Sequence, residues 1–357
     1  IEVYLDQKLP PPTQLFLEGD TPALRGRDHH GIPLHPREPH LWSLHLDLPR
    51  STHLSFRIHR GNERTLALDA NGRPLRWEQT FHDTGLFVIQ VDGWLDQHYQ
   101  PDPTMLGTLD IHRQLTYDGI QPRDVLVWLP PNYQAQTQQR YPVLYMHDGQ
   151  NLFDPTTSYV GIDWEIDQCI QQLTTEQRIQ TPIVVALQNT SDRLEEYAPT
   201  PKGYAYMDFI VQHVKPFVDQ RYRTLPRREH TATMGSSMGG LAAFLLAWCH
   251  DQTFSKAACL SPVFLNEHDP QVDVCQWVDD FEGTRKDIQL YIDNGEKDVE
   301  YKLMPGCKRM LKNLQKRGYQ IGRELEWFLD QDAHHHEGAW AARAWRPISF
   351  LFPRTSN

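Results

Sequence analysis

The chain has 357 residues, with 35 Lys+Arg against 46 Asp+Glu and a formal net charge of -11. A phosphate-tracking surface needs clustered cations, so this balance argues against nucleic-acid binding. The longest apolar stretch, residues 241–249, is far shorter than the about 20 residues needed to span a bilayer.

In the first hundred residues, short runs at 15–17, 41–48, 54–58 and 86–91 alternate apolar and polar side chains. In the second run Leu44, Leu46 and Leu48 share one face, while Ser43, His45 and Asp47 take the other. A period of two is the signature of a half-buried strand, and by the same alternation Trp42 joins the leucine face. Turn-rich pieces separate the runs, among them Gly19-Asp20, Pro49-Arg50-Ser51 and Asn71-Gly72-Arg73-Pro74. These features predict an immunoglobulin-like β-sandwich over residues 1–100, with a linker at 97–103.

From residue 104 to 357 strands alternate with helices. Apolar strands are predicted at 125–129, 143–146, 183–187, 230–234, 290–292 and 325–329. Helical spacing links Trp164, Ile166, Cys169, Ile170 and Leu173, and it recurs over 207–222 and 241–249. Fully apolar strands alternating with helices predict the α/β class, with a mostly parallel sheet covered on both faces. In such sheets the reacting groups gather at the carboxyl ends of the strands.

Three predicted strand ends carry suggestive residues. Gly235-Ser236-Ser237-Met238-Gly239-Gly240 fits G-x-S-x-G between a strand and an apolar helix, the context that motif requires;. A tight turn there would lift the Ser237 hydroxyl clear of the sheet and place the Met238 N–H at a helix start. The competing reading is a helix cap by Ser236 or Ser237. After the strand at 290–292, Gly295-Glu296-Lys297-Asp298 offers an acid, with Asp293 as a rival nearer the strand and a solvated turn as the alternative;. After the last strand comes His334-His335-His336-Glu337-Gly338-Ala339-Trp340, where a histidine can move a proton. Consecutive histidines do not converge on one ion as an i,i+4 pair does, so no metal site is expected. The order Ser, Asp, His is that of α/β-hydrolases.

Residues from about 104 to 353 resemble the esterase family of α/β-hydrolases that includes siderophore, feruloyl and acetyl-xylan esterases, S-formylglutathione hydrolases and mycolyltransferases. The resemblance rests on VWLPPNY at 127–133, YPVLYMHDGQNLFD at 141–154, RLEEYAP at 193–199, the serine motif and LSP at 260–262. The family's H-x-E-x-x-W pattern fits His335, Glu337 and Trp340, which singles out His335 from its neighbours, and its G-x-x-D/E loop fits Gly295 and Asp298. The resemblance implies a Ser237–His335–Asp298 triad, with oxyanion donors at Met238 and at Gly149 or Gln150. The first domain is similar to immunoglobulin-like or starch-binding-like modules that precede some of these esterases. Where sugar-binding members carry a tryptophan, Asn62-Glu63-Arg64 follows Gly61.

The expected function is therefore a two-domain serine esterase that forms an acyl-enzyme on a siderophore ester or on a feruloyl or acetyl ester of a plant carbohydrate. An acyltransferase using the same triad, and a carbohydrate-binding module with a secondary esterase activity, are the alternatives. Arg193, Glu196 and Trp164 are candidates to line the pocket, with a structural ion pair for Arg193 and a core position for Trp164 as competing readings. No cofactor is expected. A homo-oligomer is compatible with the sequence; no signal-peptide pattern opens it, so any leader is missing or was never there, and the compartment, cytoplasmic or periplasmic/secreted, is left open. Of five cysteines, Cys249 and Cys259 are expected in the core, and Cys275 and Cys307 could bridge in an oxidising compartment;.

Overall fold

The computed structural model describes residues 1–5, 9, 13–19, 24, 31–61, 65–68, 75–94, 105–159, 161–265 and 273–354. The chain divides into two compact units, Ile1–Asp102 and Pro103–Asn357. The expected linker, the turn at 71–74 and residues 62–64 lie outside the described residues.

The first unit is built from short strands. One four-stranded sheet comprises β1 (Glu2–Leu5), β4 (His35–Glu38), β5 (Leu41–Ser43) and β9 (Val88–Val91), in the order β4-β5-β1-β9. The other comprises β2 (Phe16–Gly19), β3 (Ile32–Pro33), β6 (Thr52–His59) and β8 (Trp77–Phe81), in the order β3-β2-β6-β8; β7 (Ala67–Leu68) and β10 (Gly93–Trp94) form a separate pair. Both sheets feed one core, in which Val3, Trp42 and Ile89 meet Leu17, Leu54 and Phe56. This is the sandwich logic of two half-apolar faces buried on each other. The predicted strand at 41–48 is paired only over Leu41–Ser43. Leu44, also buried, exchanges a last pair of hydrogen bonds with Ile1; beyond it the alternation persists without a ladder, with His45 and Asp47 exposed and Leu46 and Leu48 half-buried. Trp42 is buried, as alternation predicts, and so is Trp94, with Arg60 over its ring.

The second unit carries one eight-stranded sheet. Its strands are β11 (Thr108–Tyr117), β12 (Ile120–Leu129), β13 (Val143–His147), β14 (Ile183–Leu187), β15 (Thr231–Ser236), β16 (Lys256–Leu260), β17 (Gln289–Gly295) and β18 (Leu325–Asp330). They lie in the order β11-β12-β14-β13-β15-β16-β17-β18, and β12 alone runs against the rest. Burial on both faces explains why the central strands read as continuous apolar runs. Along β12, Val125, Val127 and Leu129 enter one core, while Leu126 and Trp128 enter the other. Strands β11 and β16 were not predicted. The first is an edge strand with a polar sequence, TLDIHRQLTY, and the second reads KAACL, whose alanines have little strand preference;.

The strand order brings the carboxyl ends of β13, β15, β16, β17 and β18 to one edge of the sheet, together with the loops that follow them. The cysteines are free: Cys259, Cys275 and Cys307 are buried, whereas Cys249, expected in the core, is exposed at the end of its helix. The Cys275 and Cys307 thiols donate separately, to the Gly306 carbonyl and to Asn294 Oδ1.

Candidate active site

Ser237 stands between β15 and the helix Met238–Cys249 with φ 55° and ψ -122°. That conformation is costly for a residue with a side chain and is typical of a nucleophile elbow. Small neighbours make the turn possible. A Cβ at Gly235 would lie 2.5 Å from the Gly239 carbonyl oxygen, and one at Gly239 would lie 3.2 Å from Asp148 Oδ2. The turn is held from below by the Ser237 N–H, which donates to the Leu260 carbonyl at 2.9 Å. Met238 is the first helical residue, so its N–H has no intrahelical acceptor and lies at the positive end of the helix;.

His335 Nε2 lies 3.0 Å from Ser237 Oγ, and its Nδ1 lies 3.1 Å from Glu300 Oε1. The tautomer that satisfies both contacts has Nδ1–H donating to the carboxylate and Nε2 accepting from the serine hydroxyl. The imidazole edge also meets the Trp340 ring, centroids 4.9 Å apart at 83°. Glu300 is fully buried and accepts from the Ser261 hydroxyl at 2.6 Å and from the Gly295 N–H at 2.9 Å. Burial alone would raise this carboxyl, but hydrogen bonds from His335, Ser261 and Gly295 outweigh it and hold it below its usual range;.

Asp298, the acid expected from the sequence, is not brought to His335. It faces solvent and pairs with the Nδ1 of His334, with side-chain exposures of 66% and 50%. The cause is local geometry. Asp298 has a φ of 50° in the turn that leaves β17, and two residues later the helix Glu300–Lys316 begins. Along that helix Glu300, Leu303, Cys307, Met310 and Leu314 form a buried stripe. A reading of that 3.6-residue period would have placed Glu300 on the inward face and Asp298 before it. The rival Asp293 is also buried, but Arg343 holds it through two hydrogen bonds of 3.1 and 3.2 Å.

The pocket candidates are redistributed as well. Glu196 is buried and bound by both terminal nitrogens of Arg123, which is also buried, so it forms an internal ion pair and does not line a pocket. Arg193 clamps Asp148 through two 2.7 Å hydrogen bonds, and Asn189 adds a third at 2.6 Å. Although burial opposes ionisation of Asp148, these partners keep its carboxyl below its usual range. Trp164 is buried and tilted against Trp340 at 5.7 Å, so it supports the residue that supports His335. Asp148 adopts a left-handed conformation after β13, and the turn Gly149–Asn151 follows. A Cβ at Gly149 would come within 2.9 Å of the β14 backbone, so the turn closes tightly over the sheet edge. Glu337, of the H-x-E-x-x-W pattern, is buried near Asn151 Nδ2 at 3.3 Å, and burial pushes its carboxyl up. Among the described residues no three His, Cys, Asp or Glu side chains converge on a metal position.

The sheet order, the elbow at Ser237 and the histidine after the last strand define an α/β-hydrolase. A family model described as "Putative esterase" matches residues 120–346. The chain belongs to that family and is a carboxylic ester hydrolase. It is 23% identical over 246 residues to the uncharacterized protein YjcH of Bacillus subtilis (strain 168), covering 68% of this chain and 94% of that protein. Its fold is similar to that of a ferulic acid esterase (TM-score 0.56, 17% identity, 70% of this chain and 98% of the other). It is also similar to the enterobactin esterase of Shigella flexneri (TM-score 0.56, 13% identity, 98% of this chain and 92% of the other).

Proposed function

We propose that the protein hydrolyses its ester through a Ser237–His335–Glu300 triad and an acyl-enzyme. The observation that carries this reading is the continuous relay from Ser237 Oγ to His335 Nε2 at 3.0 Å and from His335 Nδ1 to Glu300 at 3.1 Å. Ser237 Oγ attacks the ester carbonyl while His335 takes its proton. Buried and ionised, Glu300 stabilises the imidazolium and fixes its tautomer. The oxyanion is received by the Met238 N–H and by an N–H of the Gly149–Gln150 turn. His335 returns the proton to the departing alkoxide, then activates water against the acyl-enzyme.

For the substrate we propose a siderophore-type oligoester in preference to a feruloyl or acetyl sugar ester. The similarity to the enterobactin esterase extends over 98% of this chain, sandwich included, whereas that to the ferulic acid esterase covers 70%. In the sandwich, Trp42 and Trp94 are buried, which removes two of the flat aromatic faces a sugar platform would use;. The test pairs the intact protein with Ser237→Ala on a tricatechol trilactone, a feruloyl sugar, an acetyl sugar and p-nitrophenyl butyrate. The expected result is highest kcat/KM on the trilactone and a loss of about three decades or more in the variant. A folded Ser237→Ala protein that keeps its activity overturns the triad. Preference for the feruloyl sugar overturns the substrate assignment alone.

A further inference from the structure

The Ser237–His335–Glu300 reading leaves one buried hydroxyl unaccounted for. Ser261 follows β16 with a φ of 44° and no exposed surface. A serine hydroxyl can donate once and accept twice, and this one does all three. It donates to Glu300 Oε1 at 2.6 Å and accepts from Trp340 Nε1 at 3.1 Å and from Arg343 Nη2 at 2.8 Å. Arg343 is in turn held by the buried Asp293, and the Ser261 N–H donates to that same carboxylate at 3.2 Å. The oxygen Ser261 touches is the one that faces His335.

We propose that Ser261 is a positioning residue for the triad: its fully used hydroxyl fixes the Glu300 carboxylate in the rotamer that presents Oε1 to His335, and Arg343 and Trp340 fix the hydroxyl. This rests on Glu300 acting as the triad acid. Three strand-end loops meet at the one hydroxyl. It ties the end of β16 to the acid helix that follows β17 and to the histidine segment that follows β18. Trp340 serves twice, since its ring edge-packs on His335 while its N–H orients Ser261. Without the hydroxyl, the Glu300 carboxylate keeps its Gly295 contact but can rotate its other oxygen away from the imidazole. The loss would fall on chemistry and not on substrate binding, because Ser261 has no surface from which to touch a substrate.

The test is a double-mutant cycle on the full chain with p-nitrophenyl butyrate. Ser261→Gly removes the hydroxyl and relieves the left-handed backbone; Ser261→Ala is the second variant, in case glycine loosens the loop. Glu300→Gln supplies the other edge of the cycle. Folding is checked by near-ultraviolet circular dichroism. The expected result is a fall in kcat of about 10- to 100-fold with KM nearly unchanged, since small misplacements of catalytic groups cost that much. In the Glu300→Gln background the same change should have little further effect, because coupled residues do not add. An unchanged kcat in a folded Ser261 variant overturns the proposal, and so does an equal loss in both backgrounds. If Glu300→Gln itself retains full activity, the triad reading falls and the proposal with it. If Glu300→Gln is crippled and the Ser261 variants are not, only the proposal falls.

Discussion

Two histidine–carboxylate pairs stand side by side at the end of the sheet. His335 meets Glu300 with side-chain exposures of 18% and 0%, while His334 meets Asp298 with exposures of 50% and 66%. Each uses its Nδ1, but Asp298 lies in the turn after β17 and Glu300 opens the helix that follows it. The sequence pattern alone favours the second acid. What separates the pairs is solvent. A surface pair is screened and worth about 0–1 kcal/mol. A buried carboxylate with three donors stays ionised and exerts its field on the imidazole without water between them. Only the inner histidine also reaches the serine.

The largest contrast should appear in turnover. His335→Ala should lose about three decades or more of kcat, because the serine and its base act as one unit. His334→Ala should stay within about threefold of the parent, as expected for a screened surface contact. Steady-state hydrolysis of p-nitrophenyl butyrate separates the two; a crippled His334 variant beside an active His335 variant would reverse the assignment.

The acids should follow at similar or somewhat lower amplitude. Glu300→Gln keeps shape and removes the charge, with an expected loss of about 10³- to 10⁴-fold, the upper figure being the scale seen when a triad acid is made neutral. Asp298→Asn should leave kcat within about twofold, again on the surface-pair scale. Equal losses in the two variants would show that the turn as a whole, and not the buried carboxylate, supports His335.

A smaller effect should be legible in acid stability. The Glu300 carboxyl is depressed in the folded protein. Its contribution is therefore present above the unfolded glutamate pKa of about 4.3 and is lost as pH falls through the lower folded value. Thermal denaturation between about pH 5 and pH 3 should fall less steeply in Glu300→Gln than in the parent. Parallel curves would mean that Glu300 is not ionised in the folded state. The smallest effect concerns the outer pair. Asp298→Asn should lower stability by no more than ~1 kcal/mol, and added salt should erase the difference.

Much of this site was visible in the linear chain, for physical reasons that differ from residue to residue. Ser237 is legible because an elbow of this sharpness needs glycine on both sides, and the flanking strand and helix announce themselves by periodicity. His335 is legible only through the resemblance, since the family's H-x-E-x-x-W pattern places its histidine two before Glu337 and five before Trp340. The central strands are legible because burial on both faces leaves only apolar residues. Strand β16 is not, since its KAACL sequence is strand-like only through its neighbours β15 and β17.

Which carboxylate meets His335, and what surrounds Arg193, Glu196 and Ser261, were decided by tertiary structure. Three carboxylates, Glu296, Asp298 and Glu300, fall within five residues, and which one turns inward depends on where the helix begins relative to the backbone turn at Asp298. Arg193 and Glu196 look like pocket residues in a loop, yet each has a charged partner far away in sequence, Asp148 and Arg123. Ser261 lies in the LSP segment but nothing in that segment names its partners, which meet only where β16, the helix Glu300–Lys316 and the helix Glu337–Arg343 converge. By itself the sequence determined the α/β-hydrolase class and the tight turn at Ser237, because these depend on local period and on glycine at a tight turn; His335 stood out through the family pattern it resembles. Only the tertiary structure decided which carboxylate meets His335 and what holds that carboxylate, because burial and the pairing of charges are set by segments dozens of residues apart.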